Sequence, residues 1–166
     1  MTDNCITRPV IGVGVLVWRE KQILLGERLA KKQAGCWQFP GGHLENNESV
    51  IECARREVLE ETGIHVKDLR HLGYTDSQFE VAQNKYITLL VSCEYDSGEV
   101  EVLEPDKCAS WQWFDYQRLP APLFIPISRF LSQISTPSMT VTAEDDLYAL
   151  HRASRVLAVA PSGVRR

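Results

Sequence analysis

From Gly42 to Ile64 the chain reads GHLENNESVIECARREVLEETGI, and this segment constrains the fold more than any other. Ser49 is placed to open a helix and Gly63 to close it in the left-handed conformation that glycine tolerates; the residues between have good helical propensity. That predicts a helix of roughly three to four turns. At about 100° per residue, Val50, Ile51, Ala54 and Val58 gather into one apolar stripe, while Glu52 and Arg56 point away from it. The stripe is the core face.

Glu57 and Glu61, spaced i to i+4, project together at the edge of that stripe, and Glu60 lies one step round from Glu57. Clustered carboxylates near a buried surface repel one another and lose hydration, so they persist where a cation neutralises them or where protons are shared. Oxygen donors favour a hard ion such as Mg²⁺, which keeps several waters and completes its shell with substrate phosphates. Arg56 stands four residues before Glu60 and can brace it. Glu48 suits the positive end of the helix dipole and is read as either a ligand or a cap. Pro40-Gly41-Gly42 makes a side-chain-poor approach in which a backbone carbonyl can reach a metal.

The segment resembles the signature of the Nudix hydrolase family, G-x5-E-x7-R-E-U-x-E-E-x-G-U with U aliphatic. Gly42, Glu48, Arg56, Glu57, Val58, Glu60, Glu61, Gly63 and Ile64 fill its fixed positions without insertion. A solvated charged helix, the usual meaning of a charge run, explains neither the glycines nor the carboxylate clustering. Outside it, GVGVLVWREKQILLGERLAKKQAGCWQFPGGHLE, KYITLLV and EPDKCASWQW look like the MutT-type nucleoside-triphosphate diphosphatases of the family.

The resemblance implies an α/β/α sandwich with a mixed sheet. It also implies hydrolysis of a nucleoside triphosphate to monophosphate and pyrophosphate, with Mg²⁺, or Mn²⁺ in its place, as cofactor. It puts the Gly41 carbonyl, Glu57 and Glu61 around the metal, with Glu60 a further or water-bridged ligand and Arg56 supporting the catalytic carboxylates. Gln38 and Thr88 would face the nucleobase or ribose, Phe39 and Phe124 would offer stacking surfaces, and Arg28 would meet phosphate, assisted by Lys31 and Lys32. Glu60, Glu61 and the loop residue Glu104 are the candidate general bases. Two other readings stay open: hydrolysis of ADP-ribose or another nucleoside diphosphate derivative, for which Pro105 is in range, and a regulatory module that binds a nucleotide without hydrolysing it. The family resemblance also implies a homodimer.

Composition fits a single enzyme domain. The 166 residues carry a net charge of −4, which argues against a stable nucleic-acid partner, since proteins that track a phosphate backbone present a basic surface. The N-terminus has no basic leader before an apolar run, and Arg19, Glu20 and Lys21 interrupt the long apolar stretch, so neither secretion nor membrane insertion is expected. Five scattered cysteines without metal-ligand spacing are expected to be reduced thiols in a cytoplasm.

Strands are expected over Val10 to Trp18, Gln22 to Glu27, Trp37 to Phe39, Ile64 to Leu72, Gln78 to Glu80, Tyr86 to Tyr95 and Trp111 to Phe114. Gln83-Asn84-Lys85 and Asp96-Ser97-Gly98 read as hairpin turns, and Pro126 to Gln133 as a short helix. Trp111 and Trp113 alternate on one face and are read as core rather than as a base platform. The four histidines lack metal-ligand spacing, and only His43, beside the glycines, is a candidate for the site. The family-like region is taken as 1–135. The extension 136–166 contains an expected helix from Thr142 to Ala158 with Leu147, Leu150 and Leu157 on one side, packed on its own domain or serving a partner.

Overall fold

The computed structural model describes residues 8–31, 33–78, 85–134 and 143–158. In chain order the elements are β1 (Val10–Arg19), β2 (Gln22–Arg28), β3 (Trp37–Gln38), β4 (Gly41–His43), α1 (Val50–Thr62), β5 (His65–Gln78), β6 (Lys85–Ser97), β7 (Cys108–Asp115), α2 (Ile125–Ile134) and α3 (Ala143–Ala158). The strands form one mixed sheet in the order β3-β2-β1-β6-β5, with β4 beside β1 and β7 beside β2.

Side chains alternate across β1 and build two cores. Val13, Val15 and Val17 meet Cys53, Ala54 and Val58 of α1. Leu16 and Trp18 pack on the other face with Ile127, Phe130 and Leu131 of α2 and Leu147 of α3. The result is the expected α/β/α sandwich. No described helix is long and apolar enough to cross a membrane.

One edge of β1 is divided, and that division creates the site. β6 runs parallel along one side of β1 from Val10 to Trp18. On the other side β2 pairs only at Trp18 and Arg19, while β4 pairs at Gly12, Val13 and Gly14. Gly41 lies so close to β1 that a Cβ would stand 2.0 Å from the Val13 carbonyl oxygen. Only glycine permits that approach.

α1 begins at Ser49, whose hydroxyl accepts from the Glu52 N–H while the Glu52 carboxylate accepts from the Ser49 N–H. Gly63, in the left-handed conformation at φ 74°, ends it and donates to the Leu59 carbonyl.

Two expectations are corrected. β5 is continuous through Gly73, Tyr74, Thr75 and Asp76, because β6 pairs with it across that stretch, with register shifts at three points; pairing overrides turn-like residues. Asp96-Ser97-Gly98 does not make a hairpin. The chain turns at Gly98, φ 98°, but the following loop donates to the Glu61 and Thr62 carbonyls at the end of α1, and β7 then joins β2. Gln83 and Asn84 lie outside the described residues.

α3 is seated on the domain by Leu147, which is fully buried, and by Leu150. His151 is also buried, between Ser92 Oγ at 2.6 Å and Glu94 Oε1 at 3.1 Å, with its ring stacked on Trp18. Trp111 is buried and Trp113 packs beside the same core, as expected of the pair.

Candidate active site

The capped helix α1 carries a charged network centred on Arg56. Its Nε and Nη2 donate to the two oxygens of Glu48 at 2.9 and 2.7 Å, a paired geometry that fixes both groups. Nη1 donates to Glu57 at 3.0 Å and to Glu60 at 3.1 Å. Glu48 is therefore the anchor of Arg56, and the helix cap is Ser49. Hydrogen bonding to Arg56 holds the Glu48 carboxyl down at about 2 and, with Glu48 as the main cause, raises the Arg56 guanidinium above its ordinary value.

Glu57 is held against Gly42, where a Cβ would stand 2.3 Å from Oε1. Burial pushes its pKa up, against the opposing pull of Arg56. Glu61 is 8% exposed, and its Oε2 accepts from the Gly41 N–H at 3.0 Å. Burial pushes Glu61 up to about 8; the Gly41 bond lowers it, Glu57 and Glu104 push it further up, and Lys107 offsets them in part. Glu104 thus lies within electrostatic range of both helix carboxylates, and it accepts from Lys107 Nζ at 2.9 Å.

These residues fit a hard divalent cation. Glu61 is a buried carboxylate with a raised pKa beside two further carboxylates, a state that a cation would relieve. The donors are all oxygen. Among the described residues no three His, Cys, Asp or Glu side chains converge as a closed metal cage. Mg²⁺ is commonly bound without one, through one or two carboxylates, waters and substrate phosphate. Glu57 and Glu61, with the Gly41 peptide alongside, would hold the ion. Glu60, whose side chain is 53% exposed, stands at the outer edge.

Gly41 and Gly42 also line a cavity of about 350 Å³, as do Arg28, Gln38, Phe39 and Thr88. The residues expected to take substrate thus share one cavity, which reaches the glycines that abut the carboxylates. Phe39 is buried and Phe124 also lines the cavity, with the Arg28 guanidinium 4.6 Å from its ring centre. Phe124 is placed by hydrogen bonds between the segment 122–124 and Trp37. Arg28 Nη1 donates to Gln38 Oε1 at 2.7 Å. His43 lines the cavity near Tyr86, ring centres 6.5 Å apart. Lys31 is exposed and is not among the lining residues, and Lys32 lies outside the described residues.

Sequence reasoning missed Gly12, Gly14, Gln33 and Tyr86 as cavity residues. Gly12 and Gly14 carried a signal, since glycine inside a strand marks a close approach. Gln33 carried none; it reaches the site by accepting from the Ile125 N–H at 3.1 Å across the fold.

The NUDIX domain family model matches residues 8–134. The chain belongs to the Nudix family. A NAD-capped RNA hydrolase, NudC, of Vibrio parahaemolyticus is 36% identical over 108 residues, 64% of this chain but 38% of that protein. The chain therefore spans well under half of that relative. The oxidized purine nucleoside triphosphate hydrolase of Danio rerio is 29% identical over 144 residues, 80% of this chain and 90% of that protein. Among solved structures, a MutT NUDIX hydrolase from Burkholderia pseudomallei superimposes with a TM-score of 0.68 at 31% identity, covering 74% of this chain and 98% of that one. In this Nudix protein the divided edge of β1 places Gly41 and Gly42 between the helix carboxylates and the cavity.

Proposed function

We propose that this Nudix hydrolase is a magnesium-dependent nucleoside-triphosphate diphosphatase that releases pyrophosphate and leaves a nucleoside monophosphate. The observation that carries the reading is the junction at Gly41 and Gly42, which line an aromatic-walled cavity and also touch Glu61 and Glu57. A base and sugar fit the cavity while the phosphates extend toward the carboxylates. Mg²⁺, when bound, neutralises phosphate oxygens and lowers the pKa of water. Arg56 keeps Glu57 and Glu60 in place, and Glu48 keeps Arg56 in place. Glu60, Glu61 and Glu104 are the candidates to take the proton of the attacking water. The near full-length match to the Danio rerio triphosphate hydrolase supports the substrate class.

Hydrolysis of a nucleoside diphosphate derivative is the second reading, favoured by the Vibrio parahaemolyticus relative at 36% identity. The test is pyrophosphate and phosphate release from a panel of nucleoside triphosphates, oxidised dGTP, ADP-ribose and NAD, with and without Mg²⁺, for the parent and Glu57→Gln. Pyrophosphate that disappears without metal and in the variant supports the first reading. AMP from ADP-ribose or NAD alone selects the second. Nucleotide binding without any turnover makes the protein a regulatory module. The proposal extends to a cytoplasmic homodimer, and a monomer mass by light scattering at micromolar concentration removes the dimer.

A further inference from the structure

The two side-chain amides and the guanidinium that line the cavity are biased in one direction. Gln38 has its carbonyl oxygen engaged by Arg28 Nη1 at 2.7 Å. A guanidinium donates and never accepts, so this contact fixes which end of the amide is which and leaves the NH₂ of Gln38 for any further partner. Gln33 is committed in the same sense, because its carbonyl oxygen accepts from the Ile125 N–H at 3.1 Å. The amide NH₂ of Gln33 is again what remains. Arg28 lines the same cavity and adds only donors, while none of the lining residues is Asp or Glu. The Thr88 and Tyr86 hydroxyls and the His43 ring, which also line the cavity, adapt to either role.

Around these donors the walls are apolar and aromatic, from Phe39, Phe124, Leu90 and Ile127. Such walls suit a flat ring better than a polyphosphate. Two ligand parts could satisfy the donors, a carbonyl on the ring or a phosphate oxygen, and the position of Arg28 separates them. Its guanidinium is held over Phe124 and against Gln38, within the aromatic part of the cavity, whereas the phosphate end is defined by Glu57 and Glu61.

We infer that Arg28 is a positioning residue that orients Gln38, and that the pair selects nucleobases bearing a carbonyl over those bearing an amino group at the same ring position. The inference rests on the triphosphate reading for its kinetic arm only. A site built to donate discriminates against an amino group, since donor would then face donor and be left unpaired.

Deoxyinosine and deoxyadenosine nucleotides are the probes, because they differ at position 6 in carbonyl against amino, with the proton on N1 following. The expected kcat/KM ratio of dITP to dATP is about tenfold or more for the parent protein. Gln38→Glu replaces the remaining donor by an acceptor and is expected to lower that ratio at least about tenfold. Arg28→Gln frees the amide to turn over and is expected to bring the ratio toward unity. If Arg28 instead grips phosphate, Arg28→Gln lowers kcat/KM for both nucleotides equally and leaves the ratio intact, which overturns the inference.

Calorimetric titration with dIMP and dAMP keeps the test independent of turnover. Preference for dIMP without hydrolysis of any triphosphate would sink the diphosphatase reading and keep this one. Turnover with a dITP to dATP ratio near unity, or equal or absent binding of the two monophosphates, would overturn this one. Should either variant fail to fold, the ratio and the titration on the parent protein decide.

Discussion

A methyl group added at Gly42 tests how far activity depends on the position of one carboxylate. In Gly42→Ala the new Cβ would lie 2.3 Å from Glu57 Oε1 and 2.5 Å from its Cδ. Ordinary contact begins near 3.4 Å, so the carboxylate has to retreat by about 1 Å, a displacement that can cost about a hundredfold in rate. The retreat also strains the 3.0 Å bond from Arg56 Nη1. Stability should change little, because the atom that moves is the end of a flexible side chain and α1 keeps both caps. A loss within about 1 kcal/mol corresponds to about 2–4 °C in a chain of this size. The assay pairs kcat/KM for pyrophosphate release across a Mg²⁺ titration with calorimetric Tm. Retained activity within about threefold of the parent would refute the claim that Gly42 sets Glu57, since a catalytic group displaced this far would be expected to lose more under the proposed function. A collapse of Tm by more than about 10 °C would mean that the glycine serves the fold rather than the site.

Removing the Arg56 anchor has a pH signature. The Glu48 carboxyl is held at about 2 against an ordinary 4.5, so its stabilisation is present above 4.5 and is lost as pH falls through about 2; Glu48→Gln should lower Tm at neutral pH, with the gap to the parent closing over that window. Leu147→Ala removes a fully buried side chain from the core beneath α3 and should cost about 2–4 kcal/mol, measured by urea unfolding; a cost under about 1 kcal/mol would mean the helix is not seated on the domain. Burial raises the Cys53 thiol to about 12 and the Cys108 thiol to about 11, so neither should react quickly with a thiol reagent at neutral pH until the protein is unfolded, as mass mapping of labelled peptides would show.

Elements whose signal is local were legible in the sequence. α1 was bounded by Ser49 and Gly63, both of which cap it, and the apolar run Val10 to Trp18 was expected as a strand and forms β1. Elements set by partners were not. Gly73 and Asp76 are disfavoured in strands, yet they lie in one because β6 supplies the ladder. Asp96-Ser97-Gly98 has the composition of a hairpin, but local residues state only that the chain turns, and the next strand is placed by its pairing with β2. The same division holds in the site. The carboxylates share one helix and one spacing, so their grouping was readable. The Arg28–Gln38 contact joins two strands ten residues apart, and the Gln33 contact reaches α2 over 92 residues; neither leaves a periodic trace.

Where the chain departs from ordinary folding rules, the departures converge. Gly41 and Gly42 pair with β1 at Gly14 and Val13, although glycine weakens a sheet. Glu61 buries a carboxylate that, among the described residues, accepts directly from one backbone N–H, that of Gly41. Arg56 satisfies Glu48, Glu57 and Glu60, while Lys107 offers Glu61 only partial relief. A chain selected for stability alone would place an apolar side chain at position 61, since α1 already presents Ala54 and Val58 to that core. The retained carboxylate, and the two cavity-lining glycines that abut it and Glu57, are what the proposed cation between the helix and the substrate phosphates would require.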